Sequence, residues 1–299
     1  MSIRSLGYAF IESNDPSQWL SYGTEVLGMM ASPWRADDDN IYLKIDERPF
    51  RFAIVPGDQN RLQLLGFEMN DKDDFNNAVQ ALEQAGHSYQ RGSKDEARVR
   101  AVTEFIRFQD PAGNTIELYH GGELDYLKFV SPTGVSGFVT GLNGSFGFGH
   151  AVLPAPNLEE THAFYKQLLG FGDTDYMNFK FGDDPEDPGL GLNFMHVENP
   201  RHHSLALFGG ASPLGCIHLM LEVNTVDEVG ECLGRVVERE IPITSTLGRH
   251  TNDRMLSFYM MTPAGFPLEY GCEGLQMDWE NYTPTTTTTP SLWGHKFAI

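Results

Sequence analysis

The sequence predicts an α+β fold of four similar units, each a strand, a helix and further strands, arranged as two tandem halves. Two internal repeats indicate this organisation. LGYAFIESNDPSQWLSYGTEVLGM, from Leu6, aligns without a gap with FGHAVLPAPNLEETHAFYKQLLGF, from Phe148. Later in each half, LLGFEMN and DPAGNTIELYHG align with HLMLEVN and TPAGFPLEYGCEG. Each half therefore contains two copies of one supersecondary unit.

The elements follow in order. In both copies of the first repeat, a strand and a loop precede an amphipathic helix of about 12 residues. A glycine ends the helix in each copy, at positions 28 and 170. In the second repeat, Lys72–Gly86 and Val226–Glu240 carry apolar residues at helical spacing and are predicted helices. Five glycines between 134 and 147 indicate a loose joint. We expect an N-terminal domain over 1–138 and a C-terminal domain over 139–299.

Composition excludes several classes of protein. The 299 residues are 40% hydrophobic, enough for a sizeable core in about two domains. The chain has no run of 18 apolar residues, and MSIRSLGYAF shows no signal leader, so we expect a cytoplasmic protein with no membrane partner. The net charge of −20 argues against binding nucleic acid. The odd number of cysteines, three, favours neither disulfides nor a thiolate metal site.

Two segments lie outside the repeats. The Thr/Pro-rich stretch 283–290 is predicted to be extended, and the following SLWGHKFAI carries Leu292, Trp293 and Phe297, which are expected to pack on a domain surface or to form an interface. The acidic segment Gly182–Gly189 is predicted to be a solvated surface loop.

Glu269 interrupts an apolar strand, Phe266–Tyr270. The period of two places Leu268 and Tyr270 on one face and Glu269 on the other. A buried carboxylate there needs a cation, a metal or a raised pKa. Alternatively, the strand is half-exposed and Glu269 lies in water.

Comparison of the two repeats separates structural residues from residues that carry chemistry. His150 aligns with Tyr8, His218 with Leu64, and Glu269 with Glu117, and eight of the ten histidines lie at or beyond position 150. In the strand that contains His218, the opposite face is predicted to be apolar and consists of Ile217, Leu219, Leu221 and Val223. In the strand that contains His150, Ala151 and Leu153 share one face, and Phe148, His150 and Val152 share the other. Two histidines and a carboxylate facing one concavity predict a facial triad for non-haem Fe(II), or a Zn(II) site. Taken alone, each of these histidines would more often be a hydrogen-bonded core residue than a metal ligand.

Several motifs extend this interpretation to the whole chain. They are GHAVL, NPRHHSLAL, IHLMLEV, STLGRHTNDRMLSFYMMTP and GFPLEYGCEG. From Ser2 to the final SLWGHKF the chain resembles the two-domain extradiol ring-cleaving dioxygenases of the vicinal oxygen chelate superfamily. The resemblance implies two βαβββ modules in each domain, with the metal site in the C-terminal domain.

The resemblance also implies an activity. His150, His218 and Glu269 would hold Fe(II), with Mn(II) as an alternative, and a catechol and O2 would react there to give a hydroxy-oxo-dienoic acid. The chain is most similar to enzymes that cleave bicyclic or larger catechols, either of the 2,3-dihydroxybiphenyl type or of the steroid-degradation type. CIHLML, SFYMMTPAGF and GCEG favour the steroid branch, although pocket shape decides the substrate. A homo-oligomer is expected.

The chemistry requires further residues near the metal. The resemblance selects His203 as the acid–base group, whereas His202 would face the opposite side of a strand. His250 and Tyr259 are donors that could hold the catechol oxygens. Asp253 either accepts the second N–H of His250 or caps a turn within 251–253.

Two other functions compete with this interpretation. A glyoxalase-type isomerase, or a related metal-dependent transferase, would draw four ligands from two modules, and the Glu117 side offers no fourth ligand because Tyr8 and Leu64 are not ligands there. A protein that only sequesters aromatic ligands would need no ligand triad.

Overall fold

A computed structural model describes residues 1–35, 38–180 and 186–298. The first half forms one sheet whose strands are β1 (Ile3–Ser13), β2 (Met30–Ser32), β3 (Ile41–Lys44), β4 (Phe52–Pro56), β5 (Arg61–Met69), β6 (Gln90–Arg91), β7 (Glu104–Gln109) and β8 (Thr115–His120). Across the described residues of this sheet the order is β2-β3-β4-β1-β5-β8-β7-β6. The opening strands of the two modules, β1 and β5, pair antiparallel at its centre.

The second half repeats this arrangement. Its strands are β9 (Ala151–Pro154), β10 (Gly172–Phe179), β11 (Leu190–His196), β12 (Leu205–Phe208), β13 (His218–Glu222), β14 (Ile243–His250), β15 (Leu256–Met261), β16 (Pro267–Cys272), β17 (Thr285–Thr286) and β18 (Ser291–Trp293). The order is β17-β10-β11-β12-β9-β13-β16-β15-β14-β18. Two βαβββ modules per sheet confirm the predicted fold, and the C-terminal tail adds the edge strands β17 and β18.

The helices begin where the sequence provides caps. They are α1 (Pro16–Ser21), α2 (Lys72–Gln84), α3 (Lys94–Val99), α4 (Leu158–Ala163) and α5 (Val226–Glu238). Asp15 caps α1, Asp71 caps α2, and Thr225 forms a capping box with Glu228 at α5. The helices α1 and α4 each continue as one π-helical turn, Tyr22–Val26 and Phe164–Leu168. The predicted helices at 72 and 226 are confirmed, two residues shorter than expected.

The two halves pack on one hydrophobic core. The side chains of Trp19, Phe75, Phe148, Tyr165 and Tyr270 are buried in it. The Tyr270 hydroxyl donates to the carbonyl oxygen of Leu27 at 3.1 Å, and the Tyr165 hydroxyl donates to Asp110 at 2.9 Å, so polar contacts also cross between the halves. The predicted domain boundary between residues 138 and 139 lies in the connection between β8 and β9. It stays a prediction, because the two halves share one core.

The C-terminal tail returns to its own sheet. The strand β18 pairs with β14, and the ring of Phe297 contacts the rings of Phe179 and Tyr259, at centroid distances of 5.3 and 5.9 Å. Leu292 and Trp293, expected to pack, stay half-exposed at 51% and 50%, because main-chain pairing holds this segment. Part of the acidic segment, 182–185, lies outside the described residues. No helix in the described ranges has the length and apolarity needed to cross a membrane.

Arginines surround the carboxylate of Glu117 in the first half. Its carboxylate is fully buried and accepts from Arg100 Nε at 2.6 Å, from Arg107 Nε at 2.8 Å and from the Tyr8 hydroxyl at 2.6 Å. Two guanidinium groups therefore neutralise the carboxylate that aligns with Glu269.

We expect Glu117→Gln to lower the free energy of unfolding by about 3–5 kcal/mol, because it leaves buried arginine charge without its partner. Metal content per folded molecule should be unchanged, since Glu117 lies in the other sheet. Chemical denaturation together with metal analysis of the folded fraction measures both quantities. Loss of metal with normal stability would contradict this assignment.

Candidate active site

Three neighbouring strands bring His150, His218 and Glu269 together. His150 directly precedes β9, His218 begins β13, and Glu269 lies on β16; β13 pairs with both other strands. Glu269 Oε2 lies 3.1 Å from His150 Nε2 and 3.6 Å from His218 Nε2, and the two Nε2 atoms are 3.2 Å apart. Glu269 is only 1% exposed, so the half-exposed alternative for its strand is wrong.

This geometry fits a metal ion. A cation about 2.0–2.2 Å from each of three adjacent donors leaves those donors roughly 3–3.5 Å apart, close to the separations in this triad. Burial lowers the pKa of His150 to about 4, so its imidazole is neutral and keeps a lone pair. Burial opposes ionisation of Glu269, but hydrogen bonds from His150, His218 and His250 hold its pKa well below the usual value. The donor set is two imidazoles and one carboxylate, and together they form a possible metal site.

The predicted strand faces are correct for the triad but wrong for two neighbours. Phe148 belongs to the main core with Ala151 and Leu153, not to the face of His150. The cause is an irregular backbone at Gly149, which has φ 155° and approaches β13 so closely that a Cβ would lie 1.9 Å from the Met220 carbonyl oxygen. Ile217 packs against a separate apolar cluster instead of the main core, because β13 begins one residue later; the members of that cluster are Val152, Met177, Phe194 and Ala206.

His250 and Tyr259 lie on the other side of Glu269. The Nδ1–H of His250 donates to the carbonyl oxygen of Pro290 at 2.9 Å, and its Nε2 lies 2.8 Å from the Tyr259 hydroxyl and 3.2 Å from Glu269 Oε1. Burial opposes protonation of His250, yet the contact with Glu269 raises its pKa to about 9. Both residues present donors next to the triad.

His203 lies against the triad from a third direction. Its ring centroid is 4.0 Å from that of His150 and 4.9 Å from that of Phe194. Burial, with smaller effects of His150 and His202, holds the pKa of His203 well below its usual value. His203 is therefore a buried, neutral imidazole beside the triad.

The structure corrects the prediction for His202 and decides between the two alternatives for Asp253. His202 does not point to the opposite side of a strand, because the chain bends at 202 and β12 begins only at Leu205; its Nδ1 lies 3.1 Å from His203 Nδ1. Asp253 does not accept from His250, whose Nδ1–H is taken by Pro290. Asp253 instead accepts the backbone N–H of Met255 at 3.0 Å, as in the turn-capping alternative, and its carboxylate clusters with His202 and His203.

A cavity of about 640 Å³ opens from the triad. The polar groups around the triad are His150, His203, His218, His250, Tyr259 and Glu269, and Lys180, Ser212, Thr244, Asn252 and Asp253 also line the cavity. The other walls are mostly apolar and include Val152, Met177, Leu192, Phe194, Phe208, Leu214, Ile217, Phe266, Pro290 and Phe297. This arrangement accommodates an apolar ligand that carries a polar or anionic group at one edge.

Ser257 and His295 also lie at the site and were not predicted. The Ser257 hydroxyl donates to Glu269 Oε1 at 2.6 Å, and His295 Nε2 lies 3.2 Å from Ser257 Oγ. Ser257 shares a face of β15 with Tyr259, two residues away, so the period of two could have identified it. His295 lies in the tail, where the repeats offer no comparison.

Known proteins resemble this chain over its whole length. A family model for dihydroxybiphenyl dioxygenase BphC D1 matches residues 6–57, and one for the Glyoxalase/Bleomycin resistance protein/Dioxygenase superfamily matches residues 147–270. An iron-dependent extradiol dioxygenase of Rhodococcus jostii (strain RHA1) is 42% identical, covering 100% of this chain and 99% of that protein. A biphenyl-2,3-diol 1,2-dioxygenase of Paraburkholderia xenovorans (strain LB400) is 39% identical, covering 99% and 96%.

Solved structures agree with the sequence relatives. The 2,2',3-trihydroxybiphenyl 1,2-dioxygenase of Sphingomonas wittichii strain RW1 has a TM-score of 0.85 and 30% identity, covering 99% of this chain and 100% of that chain. The predicted resemblance and enzyme class are thereby confirmed. The chain therefore belongs to the extradiol dioxygenase family within the Glyoxalase/Bleomycin resistance protein/Dioxygenase superfamily.

Proposed function

We propose that this protein opens the ring of a bicyclic or larger catechol with O2, by extradiol cleavage at a single Fe(II) held by His150, His218 and Glu269. The observation that carries the proposal is the convergence of two imidazoles and one carboxylate in the wall of a largely apolar cavity. The name of the Rhodococcus relative, an iron-dependent extradiol dioxygenase, supports iron.

The bound metal and the three residues that would hold it contribute differently to the reaction. Bound Fe(II) would supply open coordination positions at which a catechol and O2 can meet. The two histidines and Glu269 occupy one side of that position and leave the cavity side to the substrate. Mn(II) is an alternative occupant, so metal analysis after anaerobic reconstitution with Fe(II) or Mn(II), each followed by an activity assay, decides the metal.

His203, His250 and Tyr259 surround the position of the catechol oxygens. His203 is neutral and buried, so it can take the proton that a catechol hydroxyl releases on binding. His250 and Tyr259 form a hydrogen-bonded pair with Nε2–Oη at 2.8 Å, and both can donate to a bound catecholate. Tyr259 does so without adding charge.

Tyr259→Phe removes only the hydroxyl of that pair. We expect kcat/KM to fall roughly 10- to 100-fold, the equivalent of the 1.5–3 kcal/mol typical of a hydrogen bond to a charged group. Metal content should stay at the wild-type level, since Tyr259 is not one of the three donors. Steady-state kinetics and metal analysis on one preparation check this, and unchanged kinetics would remove Tyr259 from the catechol site.

The cavity supports a substrate larger than one ring. Its volume of about 640 Å³ falls within the roughly 300–1,000 Å³ of sites for drug-sized ligands. Aromatic and aliphatic walls extend beyond the triad, where a second ring would lie. Catechols of the biphenyl type and of the steroid type both fit this description.

A panel of catechols under anaerobic reconstitution tests the function as a whole. The formation of yellow ring-opened product should be fastest, by kcat/KM, for two-ring or larger catechols and slow for unsubstituted catechol. Absence of ring-opened product with every member would reject the proposal. Size-exclusion chromatography with light scattering tests the expected homo-oligomer.

The two competing functions are not favoured. In the first half, Glu117 is neutralised by arginines and so offers no fourth ligand for a glyoxalase-type site. A protein that merely sequesters an aromatic ligand has no need of the buried triad.

A further inference from the structure

The C-terminal tail reaches the back of the metal-binding carboxylate through His295. This histidine is 6% exposed, although its neighbours Gly294 and Lys296 are exposed. Its ring fits where Gly248 has no side chain, since a Cβ on Gly248 would lie 2.6 Å from the imidazole. The backbone at His295 is left-handed, with φ 47°, a conformation that a non-glycine residue rarely adopts. The absence of a side chain at Gly248 thus leaves space for the imidazole, and the fold keeps the backbone of His295 in a strained conformation.

The partners of His295 identify which of its ring nitrogens donates a hydrogen bond and which accepts one. The Ser257 carbonyl oxygen, 3.0 Å from Nε2, can only accept, so Nε2 carries the proton. Nδ1 then accepts from the Ser291 hydroxyl at 2.7 Å. The same Nε2 atom is 3.2 Å from Ser257 Oγ, so the Ser257 oxygen faces the Nε2–H and its hydroxyl proton is donated to Glu269 Oε1 at 2.6 Å. Burial lowers the pKa of His295 to about 4, consistent with this neutral tautomer.

We propose that His295 is a positioning residue: through Ser257 it fixes the Glu269 carboxylate so that Oε2 faces His150 and His218. The inference rests on the proposed function, because it takes Glu269 as a metal ligand. Oε1 is held by Ser257 and His250, and Oε2 is left for the metal. Outer-shell hydrogen bonds of this kind orient ligands and tune metal affinity.

Packing alone does not account for His295. A ring is needed to fill the space against His250, whose centroid lies 4.1 Å away at an interplanar angle of 32°. An apolar ring would fill it equally well, yet both nitrogens of His295 are paired. His295→Phe therefore keeps the packing and removes the hydrogen bonds, and His295→Gln restores a donor and an acceptor.

The test is the Fe(II) dissociation constant, measured anaerobically by titrating metal-free protein in competition with a chelator. His295→Phe should weaken binding roughly 10- to 100-fold, the range typical of outer-shell partners, with a melting temperature of the metal-free protein close to wild type. His295→Gln should recover most of the loss. Lys296→Ala, a change at an exposed neighbour, should bind as wild type does. Wild-type affinity in His295→Phe overturns the proposal, and so does a loss that Gln fails to reduce.

A double-mutant cycle shows whether the effect passes through Ser257. If it does, Ser257→Ala weakens Fe(II) binding by itself, and adding His295→Phe causes little further loss. Additive losses overturn the route through Ser257. Glu269→Gln serves as the reference: if that variant binds Fe(II) as tightly as wild type, the proposed ligand set fails, whereas its loss of binding together with a normal His295→Phe rejects only the positioning role.

Discussion

Replacement of any one of the three donors, by His150→Ala, His218→Ala or Glu269→Gln, is expected to abolish metal retention and ring cleavage while leaving the fold largely intact. Each variant removes one donor from a set whose members lie 3.1–3.6 Å apart. Because loss of an outer-shell partner already costs roughly 10- to 100-fold in affinity, loss of a donor should cost more. The first half carries Tyr8 and Leu64 at the equivalent points, so the scaffold tolerates other residues there.

Iron content, activity and melting temperature on the same preparations measure this. Glu269→Gln is the mildest of the three changes, since an amide can still accept from the Ser257 hydroxyl that lies 2.6 Å from Oε1. Glu117→Gln is the matched control in the other sheet, with reduced stability and normal metal. Stoichiometric iron and full turnover in any of the three variants would remove that residue from the ligand set.

The two aligned glutamates show how one scaffold stabilises a buried carboxylate in two ways. Glu117 is paired with Arg100 and Arg107, and Glu269 faces three histidines. Burial of an unpaired carboxylate is costly in either half. Arginine side chains therefore offset the charge of Glu117, whereas histidines surround Glu269, which lines a cavity.

The repeats made most of the fold and the triad predictable. Aligned copies separate shared structural residues from residues present in one copy only, and the period of two assigned Glu269 its correct face. The prediction for Phe148 was wrong because Gly149 lets the strand approach Met220 and changes the alternation, which a residue pattern does not record. The choice between the two alternatives for Asp253 could not be made from the sequence, because the partner of His250 Nδ1 is the carbonyl oxygen of Pro290, 40 residues later.

The tail could not be predicted for a different reason. His295 acts on the site by a contact with Ser257, 38 residues earlier in the chain. No periodicity within 291–298 distinguishes an inward histidine from an exposed one, and neither repeat includes this segment. Such long-range contacts become visible only when the sheet is assembled.

The last prediction separates chemistry from binding at His203. We expect His203→Gln to keep iron and to bind catechol anaerobically, because neither the three donors nor the position of the chelating oxygens is touched. Turnover should fall by roughly 10²–10⁴-fold, the loss typical of a positioned acid–base group, which raises the barrier by about 3–5 kcal/mol. The physical reason is that burial keeps His203 neutral and able to accept a proton, whereas an amide cannot.

Three measurements on one preparation decide the outcome: iron content, anaerobic catechol affinity and single-turnover oxygen consumption. His87→Gln, the same substitution at a histidine of the first half, controls for the change itself and should behave as wild type. If His203 were only structural, the melting temperature would fall and turnover would change little. If iron and turnover fell together, His203 would support the metal, which its ring contact with His150 at 4.0 Å would then explain. Only retained iron and catechol binding with slow turnover assigns proton transfer to His203.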